Sequence, residues 1–264
     1  MPRDDAYIGR ERKVNSRRVL LCLLAVSAPG GCRSSGEAAR PPLPARVTLV
    51  LADRSASTAL VDTRRMFAET FHAFTGQVHP GDVLAVAWIS DRSASELRLP
   101  IKHEFPPPDT AGRNAHYRKL VLEASRKQTV QTAESLATRF DSMLEDTTNA
   151  APGTDILGSL ELAKRVFSLY PNMDHILLVM SDMRETSRVV GLDAVTMKGV
   201  DSLVSRLRSA GRVADLGNAH VCVLGASHPS PERFRVIREF WTRYFAATGA
   251  ELKDYGAALV RAEC

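Results

Sequence analysis

The segment RVTLVLADRSAS, residues 46–57, decides the fold that the rest of the chain is expected to build. Val47 to Ala52 is an almost unbroken apolar run, which is typical of a central strand covered by helices on both faces. The run ends at Asp53, and Ser55 and Ser57 follow at alternate positions. The segment therefore predicts a buried strand that delivers polar side chains at its carboxyl end.

Further apolar, β-branched runs alternate with segments of helical periodicity. The runs at 83–89, 175–180 and 220–224 predict strands. Between them apolar residues recur at helical spacing, as in the series Leu60, Phe67, Phe71 and Phe74. Strands that alternate with helices indicate crossovers between parallel strands. We predict the α/β class, as a three-layer α/β/α sandwich around a mostly parallel sheet.

Three other segments complete the predicted arrangement. Glu96 to Lys102 alternates polar and apolar side chains around Pro100, which favours an antiparallel edge strand. Ala257 to Val260 is a candidate last strand. The segment from about Arg113 to Leu144 predicts a long helix with one apolar face and one polar face. The predicted apolar face contains Tyr117, Leu120, Ala124, Val130, Ala133, Leu136, Phe140 and Met143.

The first 32 residues are typical of a targeting segment. Arg17 and Arg18 precede the apolar stretch Val19 to Ala28, which is shorter than the roughly 20 residues of a membrane-spanning helix. The sequence that ends at Cys32 resembles a bacterial lipoprotein signal, although Pro29 departs from that pattern. We therefore expect export to the periplasm or cell envelope, with membrane attachment by lipid at Cys32. A start site placed too early, or a disordered basic tail, is the alternative.

Composition narrows the domain organisation and the class of partner. Residues 33–45 are rich in Ser, Gly, Ala and Pro and predict a flexible linker, which leaves 46–264 as one domain. The net charge is +5, but residues 1–32 carry six basic and three acidic side chains, so the remainder has a charge of only +2. No basic patch interleaved with aromatic residues indicates nucleic-acid binding.

Two cysteines lie in the predicted domain. Cys222 is in an apolar strand, where a cysteine is commonly a core residue, and Cys264 is the other. The sequence leaves open whether the two form a disulfide, and the cysteines have no zinc-binding spacing.

Three predicted loops carry oxygen ligands at one edge of the sheet. Asp53, Ser55 and Ser57 follow the first strand, Thr154 precedes a helix, and Asp182 follows the strand at 175–180. Open α/β sheets bind ligands at the carboxyl ends of their strands. Carboxylate and hydroxyl oxygens suit magnesium, manganese or calcium. Because hydroxyls bring no formal charge, such a site favours a further carboxylate from an acidic partner.

The motifs D-R-S-A-S at 53–57, G-T-D-I-L at 153–157 and V-M-S-D at 179–182 resemble the metal-ion-dependent adhesion site of von Willebrand factor A domains. The resemblance covers roughly residues 46 to 260. It implies that Ser55, Ser57 and Thr154 ligate a divalent cation, for which Mg²⁺ is the first candidate. It also implies that Asp53 and Asp182 act through water or at longer range. It also implies a non-enzymatic adhesion or scaffold module that binds an Asp or Glu carboxylate of a protein partner.

Three positions depart from the commonest family pattern. Ala56 and Met183 stand where glycine is usual, and Ser181 stands where threonine is usual. None of these changes removes a ligand, but Met183 replaces a flexible glycine and bears on the shape of its loop.

Two other interpretations remain open from the sequence. Asp53 and Asp182 are compatible with a metal-dependent phosphohydrolase or nuclease, but such enzymes use several carboxylates, and Asp91 and Asp155 are the only further candidates. We expect Asp155 to cap its helix instead. His228 is the best-placed histidine for nucleophilic chemistry, and we expect it to be an exposed loop residue. A protein that kept the fold and lost the ion is the third class.

Overall fold

The computed structural model describes residues 44–91, 93, 95, 98–146, 151–259 and 264. The predicted targeting segment and the linker up to residue 43 lie outside this part of the chain. Within it, strands occur as β1 (Arg46–Asp53), β2 (Val83–Ile89), β3 (Ile101–Glu104), β4 (Asp174–Met180), β5 (His220–Leu224) and β6 (Glu251–Gly256). They form one sheet in the order β3-β2-β1-β4-β5-β6. Only β2 and β3 pair antiparallel, so the predicted mostly parallel sheet with an antiparallel edge is confirmed.

Helices cover both faces of the sheet. They are α1 (Val61–Thr75), α2 (Ala115–Glu145), α3 (Ile156–Ser168), α4 (Val200–Ser209) and α5 (Pro231–Ala247). Successive side chains of a strand point to opposite faces. Leu49 and Leu51 of β1 therefore join the core with α3, α4 and α5, whereas Val50 and Ala52 join the core with α1 and α2. The three-layer prediction is confirmed.

Polar side chains fix the starts of three helices. Asn114, Asp155 and Ser230 accept hydrogen bonds from the backbone N–H groups of Tyr117, Gly158 and Arg233. Each bond satisfies one of the amide groups that a helix leaves unpaired at its first turn. The cap predicted at Asp155 is confirmed.

The predicted edge strand and the candidate last strand are both displaced from their expected positions. The strand expected at 96–102 begins only after Pro100, at Ile101, because proline has no N–H to donate to a partner strand. The strand expected at 257–260 lies earlier, at 251–256, and Ala257 to Leu259 are not in a strand. Because β6 is a largely polar edge strand, the short apolar run after it gave a misleading signal.

The predicted apolar face of α2 is buried only in the second half of the helix. Ala133 and Phe140 are buried, but Tyr117, Leu120 and Val130 are 46%, 48% and 45% exposed. The reason is length: α2 has 31 residues and spans about 46 Å, whereas a strand of seven residues spans only about 23 Å. The first turns of α2 therefore lie beyond the sheet.

A disulfide joins Cys222 of β5 to Cys264, with 5.9 Å between the two Cα atoms. This bond settles the question that the sequence left open. Among the described residues, none of the helices combines the length and the apolar composition needed to cross a membrane.

Candidate metal centre

The predicted ligands lie at the point where the connections from neighbouring strands diverge. β1 and β4 are adjacent in the middle of the sheet, and the chain leaves β1 toward β2 but leaves β4 toward β5. This divergence opens a crevice at the carboxyl ends of the two strands, which is where open α/β sheets bind ligands. Asp53 ends β1, and Asp182 follows β4 by two residues.

Asp53 is held on both carboxylate oxygens. Its Oδ1 accepts a hydrogen bond from the Ser55 amide at 2.7 Å, and its Oδ2 accepts one from the Ser181 hydroxyl at 2.6 Å. The Ser181 Oγ in turn accepts from the Met183 amide at 3.0 Å. Asp53 is only 3% exposed, so this network fixes a buried carboxylate between two loops.

Ser55 and Ser57 bring their hydroxyls together. Their Oγ atoms form a hydrogen bond at 2.9 Å, in which either hydroxyl can donate, with Ser55 buried and Ser57 exposed. A 3₁₀ turn at Ala56–Thr58 shapes the loop, and the Thr58 hydroxyl donates to the carbonyls of Asp53 and Ser55. In an octahedral magnesium site, with oxygens about 2.1 Å from the ion, adjacent ligands lie about 3.0 Å apart. The two hydroxyls therefore have the separation of neighbouring ligands on one ion.

Thr154 approaches the same crevice from a third loop. The Ala151 amide donates to the Arg54 carbonyl at 3.2 Å, which joins this loop to the one after β1. Thr186 holds the Thr154 backbone, because its hydroxyl accepts from the Thr154 amide at 2.9 Å. Thr154 is 3% exposed, and its hydroxyl has no hydrogen-bond partner within the described ranges. The structure thus brings the loop to the crevice but records no contact of this hydroxyl with the other four predicted ligands.

Asp182 supplies a second carboxylate. It is 8% exposed, and its Oδ1 accepts a hydrogen bond from the Arg184 amide at 3.0 Å. Burial raises the pKa of Asp53 to about 6, and the negative charge of Asp182 adds a smaller upward shift to this pKa. Across the described part of the chain, neither carboxylate forms an ion pair with Lys, Arg or His. The crevice therefore concentrates negative charge that no side chain described in the structure neutralises.

Met183 adopts the backbone conformation that glycine would adopt with less strain. Its φ angle is 65°, in the left-handed region, while its side chain is fully buried. The Trp241 Nε1–H donates to the Met183 carbonyl at 2.9 Å and holds the loop in place. The loop keeps a glycine-type backbone although a large side chain occupies the position.

Two residues that the sequence analysis did not single out also shape this edge. Glu185 Oε2 accepts hydrogen bonds from the amides of Ile156 and Leu157 at the start of α3, and burial raises the pKa of Glu185 to about 7. Its Oε1 is buried and has no partner among the described residues. The second of these residues is Thr186, whose hydroxyl accepts the hydrogen bond from the Thr154 amide. Neither residue has a sequence signal, because a glutamate and a threonine in a polar loop are typical of exposed positions.

The residues considered for enzymatic chemistry have other surroundings. Asp155 caps α3, and Asp91 is exposed on the loop after β2, next to Gly153. The exposed position expected for His228 is wrong: its side chain is only 13% exposed, and its Nδ1 accepts a hydrogen bond from the Ser230 amide at 2.9 Å. The tight turn into α5 folds the imidazole back onto the protein.

No family model matches the chain, and no curated protein matches it. Similar solved structures include an aerotolerance-related membrane protein from Bacteroides fragilis, at 14% identity over 70% of this chain and 69% of that chain, with a TM-score of 0.34. A von Willebrand factor type A structure from Catenulispora acidiphila has 12% identity over 81% of this chain and 39% of that one, with a TM-score of 0.35. The human COPII-coat protein Sec24c has 11% identity over 83% of this chain and 30% of its own, with a TM-score of 0.38. The chain thus spans less than half of the last two structures, and the fold class rests on its own sheet order.

Proposed function

We propose that this chain is a protein-interaction module that binds a divalent cation, with Mg²⁺ as the best-suited ion, and through it an acidic side chain of a partner. Ser55, Ser57 and Thr154 would hold the ion directly. Asp53 and Asp182 would act through water, since both oxygens of Asp53 already accept hydrogen bonds.

The separation of the Ser55 and Ser57 hydroxyls carries this proposal. At 2.9 Å they have the spacing of two adjacent ligands, and they lie beside two carboxylates without an ion-pair partner in the described residues. Hard oxygen donors and a local excess of negative charge are the two properties that a magnesium site requires. The fit is therefore one of donor chemistry and of charge.

The partner follows from the charge of the ligands. The ligands bound directly to the cation would be neutral hydroxyls, and Asp53 and Asp182 would balance its charge through water. A coordination position would remain for an outside oxygen ligand. An Asp or Glu side chain of another protein has the matching charge and oxygen donors. Chemistry on a substrate would call for further carboxylates at the ion. Asp155 is already used to cap α3, and Asp91, although it lies next to Gly153, is exposed.

The test is a titration of the purified chain with magnesium, manganese and calcium, in which the heat of binding and the melting temperature are measured. Ser57→Ala is the sharpest variant, because Ser57 is exposed and its loss leaves the core intact. We expect it to weaken metal binding by about tenfold, the equivalent of roughly one hydrogen-bond-sized interaction. Ser205→Ala removes an exposed serine from α4 and is the matched control.

Three outcomes would count against the proposal. No binding in the unmodified chain rejects the metal site, and equal binding by the Ser57→Ala and Ser205→Ala variants rejects the assigned ligands. Metal-dependent hydrolysis of a generic phosphomonoester or phosphodiester would favour the enzymatic alternative.

We also propose that the protein acts outside the cytoplasm, in the periplasm or cell envelope, with lipid attachment at Cys32. The Cys222–Cys264 disulfide supports an oxidising compartment. Labelling with a radioactive fatty acid in the bacterial host should mark the native chain but not Cys32→Ala. Label on neither chain rejects the lipid attachment.

A further inference from the structure

The first half of α2 extends beyond the body of the domain. At one end of the helix, the Arg54 guanidinium donates to the Asp146 carbonyl at 2.7 Å, beside the metal crevice. Further back, Ser125 and Thr129 line a cleft with Phe105, just after the end of β3. The stretch from 125 to 146 therefore already covers the length of the sheet. Residues 115–124 extend about 15 Å past its opposite edge.

This extension has an apolar stripe that does not face the core. Tyr117, Leu120, Val121 and Ala124 share one side of the helix by their spacing of three and four residues, and three of them are exposed. The buried residues of the second half, Ala133 among them, lie on a different side. Sixteen residues separate Tyr117 from Ala133, which turns the helix by about 160°. The stripe is therefore not a continuation of the core.

Positive charge surrounds the apolar stripe. Residues 115–128 contain the exposed basic residues Arg118, Lys119, Arg126 and Lys127, and Glu123 is their only acidic residue. By helical spacing, Arg118 and Lys127 flank the stripe on its two sides. An apolar stripe bordered by basic side chains on a projecting helix is typical of segments that lie in the interface of an anionic membrane.

The extension lies at the same edge of the sheet where the preceding chain joins the domain. The Phe105 amide donates to the Asp82 carbonyl at 2.8 Å, and Asp82 Oδ1 accepts from the amide of Arg46, the first residue of β1. The described part of the chain, which begins at residue 44, thus starts at the edge from which α2 projects. The lipid attachment proposed at Cys32 would hold this edge near a membrane, while the metal crevice lies at the opposite edge.

We propose that residues 115–128 of α2 form a docking surface for an anionic lipid bilayer. The apolar stripe inserts at the level of the headgroups, and Arg118 and Lys127 contact the lipid phosphates on either side. Docking would orient the metal crevice away from the membrane, toward a partner. The surface does not require a bound cation, so it stands or falls separately from the metal site.

The test measures amide hydrogen exchange over residues 115–128 in the full chain, in EDTA, with vesicles of phosphatidylcholine alone or mixed with phosphatidylglycerol. Because the readout is local, attachment through the preceding segment does not obscure it. We expect slower exchange only with the anionic vesicles. The doubly substituted Arg118→Gln, Lys127→Gln chain should lose about tenfold to thirtyfold in apparent affinity, since each basic residue near an anionic surface contributes about a factor of five.

Two single variants separate the apolar contribution from a general loss of surface hydrophobicity. Leu120→Ser should abolish the protection, and the control Val61→Ser, which removes a side chain that is 79% exposed at the other edge of the sheet, should keep it. Unchanged exchange with anionic vesicles, or equal loss in both single variants, overturns the proposal. Protection by polyglutamate without protection by anionic vesicles also overturns it, and would assign the surface to an acidic protein.

Discussion

Asp53 and Asp82 are buried carboxylates at opposite edges of the same sheet, 3% and 5% exposed, and the protein treats them differently. Asp82 accepts hydrogen bonds from the amides of Arg46 and His79 and lies 3.4 Å from the Arg46 guanidinium. Within the described residues, the donors to Asp53 are the neutral groups of Ser55 and Ser181 and not a cation. One edge of the sheet thus supplies its own cation. At the other edge, Asp53 has no cationic partner among the described residues, as the proposed metal site would require.

The largest expected effect comes from breaking the pairing at Asp82. Asp82→Ala would remove three bonds and leave the Arg46 backbone amide without its partner. We expect a loss of about 3 kcal/mol in the free energy of unfolding, measured by urea titration at neutral pH. Asp62→Ala, which removes an exposed ion pair with Arg65, is the control and should cost about 0.5 kcal/mol or less. Equal losses would mean that the pairing of Asp82 with Arg46 has no special role.

Removing the charge of Asp53 should change the free energy of unfolding in the opposite direction. Because the folded-state pKa is raised from 3.8 to about 6, the folded chain binds more protons than the unfolded chain, so this carboxyl lowers stability as pH rises through that interval. Asp53→Asn should therefore stabilise the metal-free protein by about 1–3 kcal/mol at pH 8 and by close to zero at pH 4. Urea titrations of both chains in EDTA measure the difference.

With magnesium bound, the native chain should become more stable than the Asp53→Asn variant. Protons compete with the ion for the charged form of Asp53, so the stabilisation of the native chain by magnesium should grow as pH rises through about 6. The Asp53→Asn variant should show little stabilisation by magnesium at any pH. A variant that is destabilised in EDTA at pH 8 would contradict the view of Asp53 as an unmatched charge.

Glu185 is an intermediate case, since its partners are the first amides of α3 rather than a cation. Its raised pKa, about 7, means that it also lowers stability as pH rises, over the interval from 4.5 to about 7. Glu185→Gln should therefore stabilise the metal-free protein at pH 8 by about 1–3 kcal/mol, the same range as Asp53→Asn, but without loss of metal binding. Abolished metal binding would instead place Glu185 among the ligands.

Ser181 should have the smallest effect. Its hydroxyl bond to Asp53 lowers the pKa of that carboxyl, so Ser181→Ala should raise this pKa further and cost about 1 kcal/mol. Ser181→Thr keeps the hydroxyl and serves as the control. The pKa of Asp53 is read from the pH at which the Asp53→Asn substitution changes the free energy of unfolding by half of its full effect. This pH is measured in the native background and in the Ser181→Ala background. Equal values would show that the Ser181 hydroxyl does not affect the pKa of Asp53.

The sequence was informative where burial is strong. The continuous apolar runs at β1, β2, β4 and β5 predicted strands covered on both faces, and Ser55 and Asp182 could be placed at one edge because parallel strands end together. Edge strands were misplaced, since half of their side chains meet water and β6 is mostly polar. Glu185 could not be anticipated, because its burial depends on the loop after β4 folding over the start of α3.

The α2 helix shows a limit of a different kind. Its apolar pattern was recognised, but periodicity does not reveal where the neighbouring sheet ends. Tyr117 and Phe140 were assigned to one face, yet the first is 46% exposed and the second fully buried. The length of the predicted helix relative to the predicted strands is the feature that indicates that the first turns of α2 extend beyond the sheet.

The Cys222–Cys264 bond also affects the unfolded chain. It closes a loop over a separation of 42 residues that contains α5 and β6, so a denatured but oxidised molecule still carries a ring. By the loop-entropy model, a ring of this size stabilises the folded state by about 4 kcal/mol. A strong reductant should therefore lower the melting temperature without touching the metal crevice. The thiol–disulfide state would then control how long the folded protein persists, independently of the proposed metal site.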